Sequence, residues 1–146
     1  MDVGTGVGNF IFLLEPLVKD YDEIIGIDQS SKSIDIAKSY FTDKPKIKFM
    51  VKDAAQTDYH DNYFDIVCLS NSLHHLSEPF PIFKEMERIL KPQGLLIINE
   101  MISTPLTKEQ QSHKLIHHFS AEIDRLLGVF HDDTYTKDEI ESKLKQ

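Results

Sequence analysis

Disulfide-forming cysteine and long apolar runs are both scarce in this 146-residue chain. The single cysteine, Cys68, lies in the apolar run Phe64–Leu69, so no intrachain disulfide can form and a buried position is expected. No apolar run reaches the roughly 18 residues of a membrane span, and the acidic, glycine-rich start is unlike a signal peptide. These absences predict a soluble protein of a reducing, cytoplasmic compartment.

Basic residues are also comparatively few. The chain has 16 Lys and Arg against 24 Asp and Glu, which gives a formal net charge of −8. Binding to a phosphate backbone requires a local basic face, which this balance disfavours. We therefore expect neither nucleic acid nor a membrane as partner, and the length predicts a single domain over residues 1–146.

Short apolar runs alternate with amphipathic stretches along most of the chain. This alternation is typical of βαβ units and predicts the α/β class, with a parallel sheet and helices on both faces. The predicted strands are Ile24–Ile27, Ile47–Val51, Phe64–Leu69 and Leu95–Ile98. The predicted helices are Asn9–Val18, Ser31–Phe41 after a Ser30 or Ser31 cap, and Pro79–Leu90, which is followed by a break at Lys91–Gly94.

The C-terminal part of the chain has a different residue pattern. Polar helical stretches are predicted over Thr107–Leu127 and Lys137–Lys145, and no strand is predicted after Ile98. Four apolar residues of the first stretch are predicted to form the face by which it packs: Phe119, Ile123, Leu126 and Leu127. The sequence thus predicts an α/β core over residues 1–103 and a helical extension over residues 104–146.

The strongest local signal is a glycine-rich loop that leads directly into a helix. Gly4, Gly6 and Gly8 follow Asp2, and glycines there let a backbone turn tightly beside a ligand at a helix N-terminus. Asp28 lies twenty residues after Gly8, at the end of the next strand, where a carboxylate reaches ribose hydroxyls in this layout. Together these features predict a nucleotide-like cofactor.

Two cofactor classes fit this layout. A dinucleotide fold favours Gly-x-Gly-x-x-Gly, but Asn9 occupies the third glycine position and Asp2 would repel a pyrophosphate. S-adenosylmethionine carries cationic sulfonium and ammonium groups, which an acidic residue suits. The pattern favours S-adenosylmethionine, and a dinucleotide-dependent oxidoreductase is kept as an alternative.

These segments, in order and spacing, resemble the class I S-adenosylmethionine-dependent methyltransferases, especially the small-molecule ubiquinone and menaquinone biosynthesis type. The resemblance runs from Met1 to about Glu100. It includes Leu69–Leu76, which is similar to the family segment after the fourth strand, and Lys91–Ile98, which is similar to the fifth strand and its turn. The resemblance implies a doubly wound, Rossmann-like, mostly parallel sheet of strand order 3-2-1-4-5.

The resemblance also implies a set of cofactor contacts. The loop would line the methionine part of the cofactor, Asp28 would hold the ribose hydroxyls, and the remaining residues would meet the adenine or the cofactor through backbone. The implied cofactor-binding residues are Asp2, Gly4, Thr5, Gly6, Gly8, Asp28, Gln29, Asp53, Ala54, Ser70 and Asn71. The implied reaction is methyl transfer to a small-molecule acceptor.

Histidines are the candidate proton acceptors. His74 or His75 would act as general base if the acceptor is a carbon acid or a hydroxyl, whereas an amine or thiolate can react without one. A second group, His113, His117 and His118, includes an i, i+4 pair with metal-ligand spacing. No carboxylate or cysteine pattern completes that group, so the sequence predicts no metal site.

Both ends of the chain differ from the family pattern. The strand before the glycine loop is reduced to a stub, and the two strands that normally follow the fifth are missing, so the chain is expected to be truncated at both ends. This favours keeping a non-catalytic or fragmentary S-adenosylmethionine-binding domain as a further alternative. It also predicts that Leu95–Ile98 is an apolar edge that is covered by the tail or pairs with a second copy in a homodimer.

Overall fold

The computed structural model describes residues Met1–Lys145. They form two compact units. The sheet unit comprises Met1–Ser70 and Ile82–Asn99, and the helical unit comprises Asn71–Pro81 and the described residues from Glu100 onward. That residues 1–146 form a single domain with a boundary near residue 103 stays a prediction.

The sheet unit is built on five strands that all run parallel. Their order is β3-β2-β1-β4-β5, which confirms the order that the resemblance implies. The strands are β1 (Asp2–Val3), β2 (Ile24–Asp28), β3 (Ile47–Val51), β4 (Phe64–Ser70) and β5 (Leu90–Asn99). The central strand β1 is short, but its two residues are buried and pair with both β2 and β4.

Helices connect β1 to β2, β2 to β3 and β4 to β5. They are α1 (Asn9–Leu14), α2 (Ser31–Tyr40) and α3 (Pro79–Ile89). Ser30 caps α2 by accepting the N–H of Ser33, as predicted. The helix predicted to reach Val18 is too long, because α1 ends at Leu14 and a 3-10 turn containing Pro16 follows. Proline cannot donate the backbone hydrogen bond that a continuing α-helix needs at that position.

Helices cover both faces of the sheet, as predicted. On one face α1 and α2 bury a cluster with the neighbouring strands, which includes Ile11, Ile34, Ala37, Phe41, Ile47 and Phe49. The connection from β2 to β3 runs toward one end of the sheet and that from β4 to β5 toward the other. Because such crossovers are right-handed, α3 lies on the opposite face from α2. Its buried residues in the sheet unit include Ile82, Met86 and Ile89.

Strand β5 begins earlier than predicted. The predicted break at Lys91–Gly94 is wrong, because these residues lie within β5. Pairing with β4 shifts register between Phe64 and Ile66, and Gln93 adopts φ 67°. The turn-forming residues therefore make an irregularity inside the strand rather than a loop before it.

The helical unit contains α4 (Lys108–Leu126) and α5 (Lys137–Leu144), close to their predicted bounds. Capping boxes formed by Thr107 with Gln110 and by Thr136 with Glu139 begin these helices. An isolated bridge joins Ile102 and Tyr135. Among Met1–Lys145, no helix is long and apolar enough to cross a membrane.

The inward face of α4 is polar, contrary to prediction. The side chains predicted to pack are exposed, with Phe119 at 64% and Leu126 at 81%. The less exposed positions follow the helical spacing Lys114, His117, Ala121 and Asp124. Hydrophobic periodicity identifies an apolar stripe but not which stripe of a helix the fold covers.

Candidate functional site

The residues predicted to bind a cofactor in the sheet unit cluster at one edge of the sheet. Because all five strands are parallel, their carboxyl ends meet there. The glycine loop follows β1, Asp28 ends β2, Asp53 follows β3 and Ser70 ends β4. Ligands in open α/β sheets bind at this edge, at the point where the strand order reverses, which here is β1.

The glycine loop requires glycine for two different reasons. Gly4, Gly6 and Gly8 all have positive φ, at 64°, 54° and 87°. A Cβ on Gly8 would lie 3.1 Å from the Phe49 ring, so this glycine permits close packing of the loop on the core. A Cβ on Gly6 would meet no atom within 4 Å. Gly6 therefore borders open space in which a ligand could approach the backbone.

Asp28 joins the end of β2 to this loop. One carboxylate oxygen, Oδ2, accepts the backbone N–H of Gly6 at 2.8 Å, and Oδ1 accepts that of Ser30 at 2.8 Å. A carboxylate can accept about four hydrogen bonds, so lone pairs stay available after these two. Asp28 is half-buried. It can thus position the loop and still accept a hydroxyl donor.

Asp2 places a carboxylate beneath the loop. It is 2% exposed, and its Oδ2 accepts the Thr5 hydroxyl at 2.7 Å. Burial, assisted by repulsion from Asp28, raises the pKa of Asp2 to about 6. Its other oxygen, Oδ1, has no hydrogen-bond partner within Met1–Lys145. A buried acceptor of this kind is suited to a cationic or N–H donor group of a ligand.

Asp53 and Gln29 are both exposed. Asp53 Oδ1 accepts the N–H of Ala55 at 2.9 Å, which is a local turn bond. Ala54 is half-buried beside it. The structure thus gives Asp53 the ordinary role of a turn residue, and the adenine contacts of Gln29, Asp53 and Ala54 stay predictions.

Ser70 and Asn71 follow one another at the end of β4. The Asn99 amide donates to the Ser70 hydroxyl at 2.9 Å, which fastens the end of β4 to β5. Asn71 has φ 48° and belongs to the helical unit. Positive φ is uncommon outside glycine and favours asparagine, so the chain turns sharply here. That these residues contact the cofactor stays a prediction.

A cavity of about 370 Å³ lies at the amino ends of the strands. Its lining includes Glu23, Ile24 and Phe64, which stand at or just before the starts of β2 and β4, and it also includes Asp2 of β1. This is the edge opposite to the glycine loop. Of the predicted cofactor-binding residues Asp2 alone lines this cavity, so the cavity is separate from the region that the glycine loop and Asp28 border.

The helical unit holds the two histidines that were predicted to be catalytic. His74 is 5% exposed, and its Nδ1 lies 2.9 Å from Glu100 Oε1. The other oxygen of Glu100 accepts the N–H of Leu73 at 3.0 Å. Because the carboxylate only accepts hydrogen bonds, the neutral His74 ring carries its proton on Nδ1 and a lone pair on Nε2. His75 is exposed, and partial burial of its ring lowers its pKa.

Two further histidines join them. The His131 ring lies 5.2 Å from that of His74 and 4.2 Å from that of His75, measured between centroids. The His117 ring lies 4.6 Å from that of His74. We call these four residues the histidine cluster. Burial and the neighbouring imidazoles lower the pKa of His117 to about 4, so its ring is neutral at pH 7.

Sequence reasoning missed His131 and Glu100. His131 bonds through Nδ1 to Asp124, seven residues earlier, at 2.7 Å, and Glu100 is 26 residues from His74. Neither spacing is a recognised motif. His118 is instead bonded to Thr134, its Nε2 lying 2.9 Å from the hydroxyl oxygen. The predicted helical pair is thus divided, because His117 joins the cluster and His113 is exposed.

Comparison with known proteins identifies the family. A family model described as "Methyltransferase domain" matches residues 1–98. A demethylmenaquinone methyltransferase of Staphylococcus aureus is 29% identical over 119 residues, which cover 82% of this chain and 49% of that protein. The chain thus spans about half the length of the curated relatives it matches.

Solved structures share the fold. A protein from Pyrococcus horikoshii, PH0226, is 32% identical and has a TM-score of 0.61. The match covers 82% of this chain and 51% of the PH0226 chain. A protein from Haloferax volcanii, solved in complex with the Trm112 methyltransferase activator, has a TM-score of 0.75 at 22% identity, and the match covers 99% of this chain and 57% of that chain. Family model, fold and glycine loop agree, and the chain belongs to the methyltransferase domain family whose cofactor is S-adenosylmethionine.

Proposed function

We propose that this chain binds S-adenosylmethionine at the carboxyl ends of β1 to β4 and carries the cofactor-binding part of a methyltransferase that acts on a small molecule. The observation that carries the proposal is the bond from the Gly6 N–H to Asp28 Oδ2 beside open space at Gly6. It presents a carboxylate and a bare backbone to the same region. These are the groups that a ribose diol and its neighbouring substituents require.

The buried carboxylate of Asp2 supports this cofactor over a dinucleotide. Its unpartnered Oδ1 can accept from the ammonium group of a methionine moiety. A pyrophosphate would instead be repelled by the ionised carboxylate. The glycine-loop residues would then line the methionine part of the cofactor; they are Gly4, Thr5, Gly6 and Gly8. The rest of the cofactor would contact Gln29, Asp53, Ala54, Ser70 and Asn71.

The cofactor supplies an activated methyl group on a cationic sulfur. The chain's own residues would bind and orient it, so that an acceptor nucleophile can attack in line with the carbon–sulfur bond. Positioning of this kind can contribute several kcal/mol to the lowering of the barrier. A proton acceptor is needed only for hydroxyl or carbon acceptors, and the predicted role of His74 and His75 in that step stays a prediction.

A small-molecule acceptor is favoured over a nucleic acid. The net charge of −8 disfavours a phosphate-backbone partner, and the relative from Staphylococcus aureus is named for demethylmenaquinone. An aromatic quinol-type acceptor is therefore the first class to test. A homodimer through β5 is a further proposal, because β5 ends the strand order within Met1–Lys145.

Calorimetry with S-adenosylmethionine, S-adenosylhomocysteine and NAD in parallel tests the cofactor assignment. We expect binding of the first two and none of NAD, and binding of NAD alone would overturn the proposal. Methyl transfer to a demethylmenaquinone analogue, followed with labelled methyl group, then tests turnover. Cofactor binding without transfer to any quinol or phenol would favour the binding-only alternative.

A further inference from the structure

The inward face of α4 buries polar groups where a helix usually buries apolar ones. Phe119 and Ile123 face outward, whereas His117 and Asp124 lie on the covered side. Burying polar groups costs free energy unless each finds a partner. His117 Nδ1 has none within Met1–Lys145. The arrangement therefore calls for an explanation beyond packing.

Two histidines of the cluster have the same arrangement. His74 is bonded through Nδ1 to Glu100 at 2.9 Å, and His131 through Nδ1 to Asp124 at 2.7 Å. A carboxylate bonded to one ring nitrogen makes that nitrogen the donor and leaves a lone pair on the other. Metal-ligating histidines are held in this way, with a carboxylate fixing the tautomer and the ring orientation.

Ring nitrogens of three of these histidines lie close to one another. One ring nitrogen from each of His74, His75 and His131 lies within 4.8 Å of the other two. His117 Nε2 lies 3.3 Å from His131 Nε2, in a hydrogen bond that His131 accepts and that a bound ion would replace. With zinc–nitrogen bonds of about 2.0–2.1 Å, tetrahedral geometry separates two ligand nitrogens by about 3.4 Å. The three nitrogens, up to 4.8 Å apart, would therefore have to approach one another by up to about 1.4 Å on binding an ion.

Backbone bonds hold the two contributing segments together. The N–H of Asp132, next to His131, donates to the carbonyl of His74 at 2.7 Å. Arg125 donates to the carbonyl of His131 at 2.7 Å. The backbone at His74 and at His131 is thus held by one main-chain bond and one bond from the Arg125 side chain. Glu100 and Asp124, the carboxylates bonded to His74 and His131, place acidic groups beside the rings, as is usual around a bound cation.

We propose that His74, His75 and His131, with His117 beside them, bind a divalent transition-metal ion of the zinc class. Imidazole ligands suit zinc, cobalt, nickel and copper, whereas magnesium and calcium require oxygen ligands. The ion would join the 3-10 turn Leu73–His75 to the segment after α4. This proposal rests on the histidine cluster alone and is independent of the proposed methyl transfer.

Metal ligation and base catalysis exclude one another at His74. Both use the lone pair of His74 Nε2, so a bound ion leaves that nitrogen unable to accept a proton. Direct metal measurements therefore also decide between the two roles of this residue.

The test compares two exposed histidines of the helical unit. His75→Ala removes a ligand, and His113→Ala removes a histidine of α4 outside the cluster. The purified chain is stripped with EDTA, dialysed, and titrated with zinc by calorimetry and with cobalt by absorption spectroscopy. We expect one ion per chain, visible cobalt bands typical of four-coordinate sites, and a raised melting temperature with zinc.

Substituted chains show whether zinc and cobalt bind at the histidine cluster. His113→Ala should match the wild type, while His75→Ala should lose the cobalt bands and the melting shift. Asp124→Asn should weaken zinc binding by about tenfold or more through the orientation of His131, without removing a ligand. Equal zinc stoichiometry and affinity in the wild type and His75→Ala would overturn the proposal, as would the absence of zinc binding by the wild type.

Discussion

The Asp28 carboxylate and the Gly6 backbone N–H form a 2.8 Å hydrogen bond that ties β2 to the loop after β1. One side chain thus serves the fold and the candidate cofactor site together. Local spacing could predict the second role but not the first, because the loop conformation that brings Gly6 to Asp28 depends on β1 and β2 being paired. The double role has a measurable consequence.

Asp28→Ala is expected to weaken S-adenosylhomocysteine binding by about 1.5–3 kcal/mol, or roughly ten- to hundredfold, the range for hydrogen bonds to a charged group. It also leaves the Gly6 N–H without its acceptor, so we expect about 1 kcal/mol loss in the free energy of unfolding. Calorimetry and urea unfolding measure the two effects. Asp35→Ala, at an exposed position on α2, is the control. Unchanged affinity in Asp28→Ala would contradict the ribose assignment.

Gly6→Ala separates backbone strain from ligand exclusion. Gly6 and Gly128 both have positive φ, and a Cβ on either meets no atom within 4 Å. Alanine should therefore cost roughly 1–2 kcal/mol of stability at either position, through left-handed strain. Only the Cβ at residue 6 would enter the space beside Asp28. We expect both variants to melt earlier and only Gly6→Ala to lose cofactor affinity, and equal affinity in the two variants would exclude a role for the loop.

The raised pKa of Asp2 predicts that cofactor binding depends on pH. Burial raises its pKa to about 6, so the carboxyl becomes neutral as the pH falls through 6. A cationic ligand group favours the ionised form, and affinity should therefore fall below pH 6, with proton release on binding near that pH. Calorimetry in buffers of different ionisation enthalpy measures the released protons. Binding that is equal at pH 5 and pH 8, to within about a factor of two, would contradict the contact.

The same shift predicts a gain of stability in Asp2→Asn. A raised pKa means that the folded state favours the protonated acid, so the contribution to stability falls as the pH rises from 3.8 to about 6. Above that range Asp2→Asn should be more stable than the wild type by about 1–3 kcal/mol and bind cofactor less tightly. Asp35→Asn provides the matched control.

Strands and the glycine loop were predictable because their signals are local. Ile47–Val51 has its predicted bounds, and the Ser30 cap precedes α2 as expected. The start of β5 was not predictable, because Lys91–Gly94 reads as a turn and only the pairing of Leu90 with Phe64 on its far side includes it in the strand. The predicted methyltransferase family is confirmed by the family model that matches residues 1–98.

The histidine cluster could be predicted from the sequence only in part. His74 and His75 were recognised as a pair, and His117 by its spacing from His113, but their common partner His131 was not singled out. The ring contacts depend on α4 turning its polar stripe inward, which places Asp124 and His117 beside His131. An apolar stripe on the same helix predicted the opposite orientation. Tertiary packing decided between the two stripes.

Strand β5 is predicted to mediate dimerisation. β5 pairs with β4 and ends the strand order within Met1–Lys145, and Leu95 and Leu96 are 55% and 39% exposed. Unpaired backbone groups beside apolar side chains favour pairing with a second chain, whereas a lysine on such a strand opposes it. Light scattering of the wild type should show association that rises with concentration and weakens in Leu96→Lys. Leu115→Lys changes an exposed leucine of α4 and should leave association unchanged. Equal effects of the two substitutions, or a monomeric wild type, would contradict dimerisation through β5.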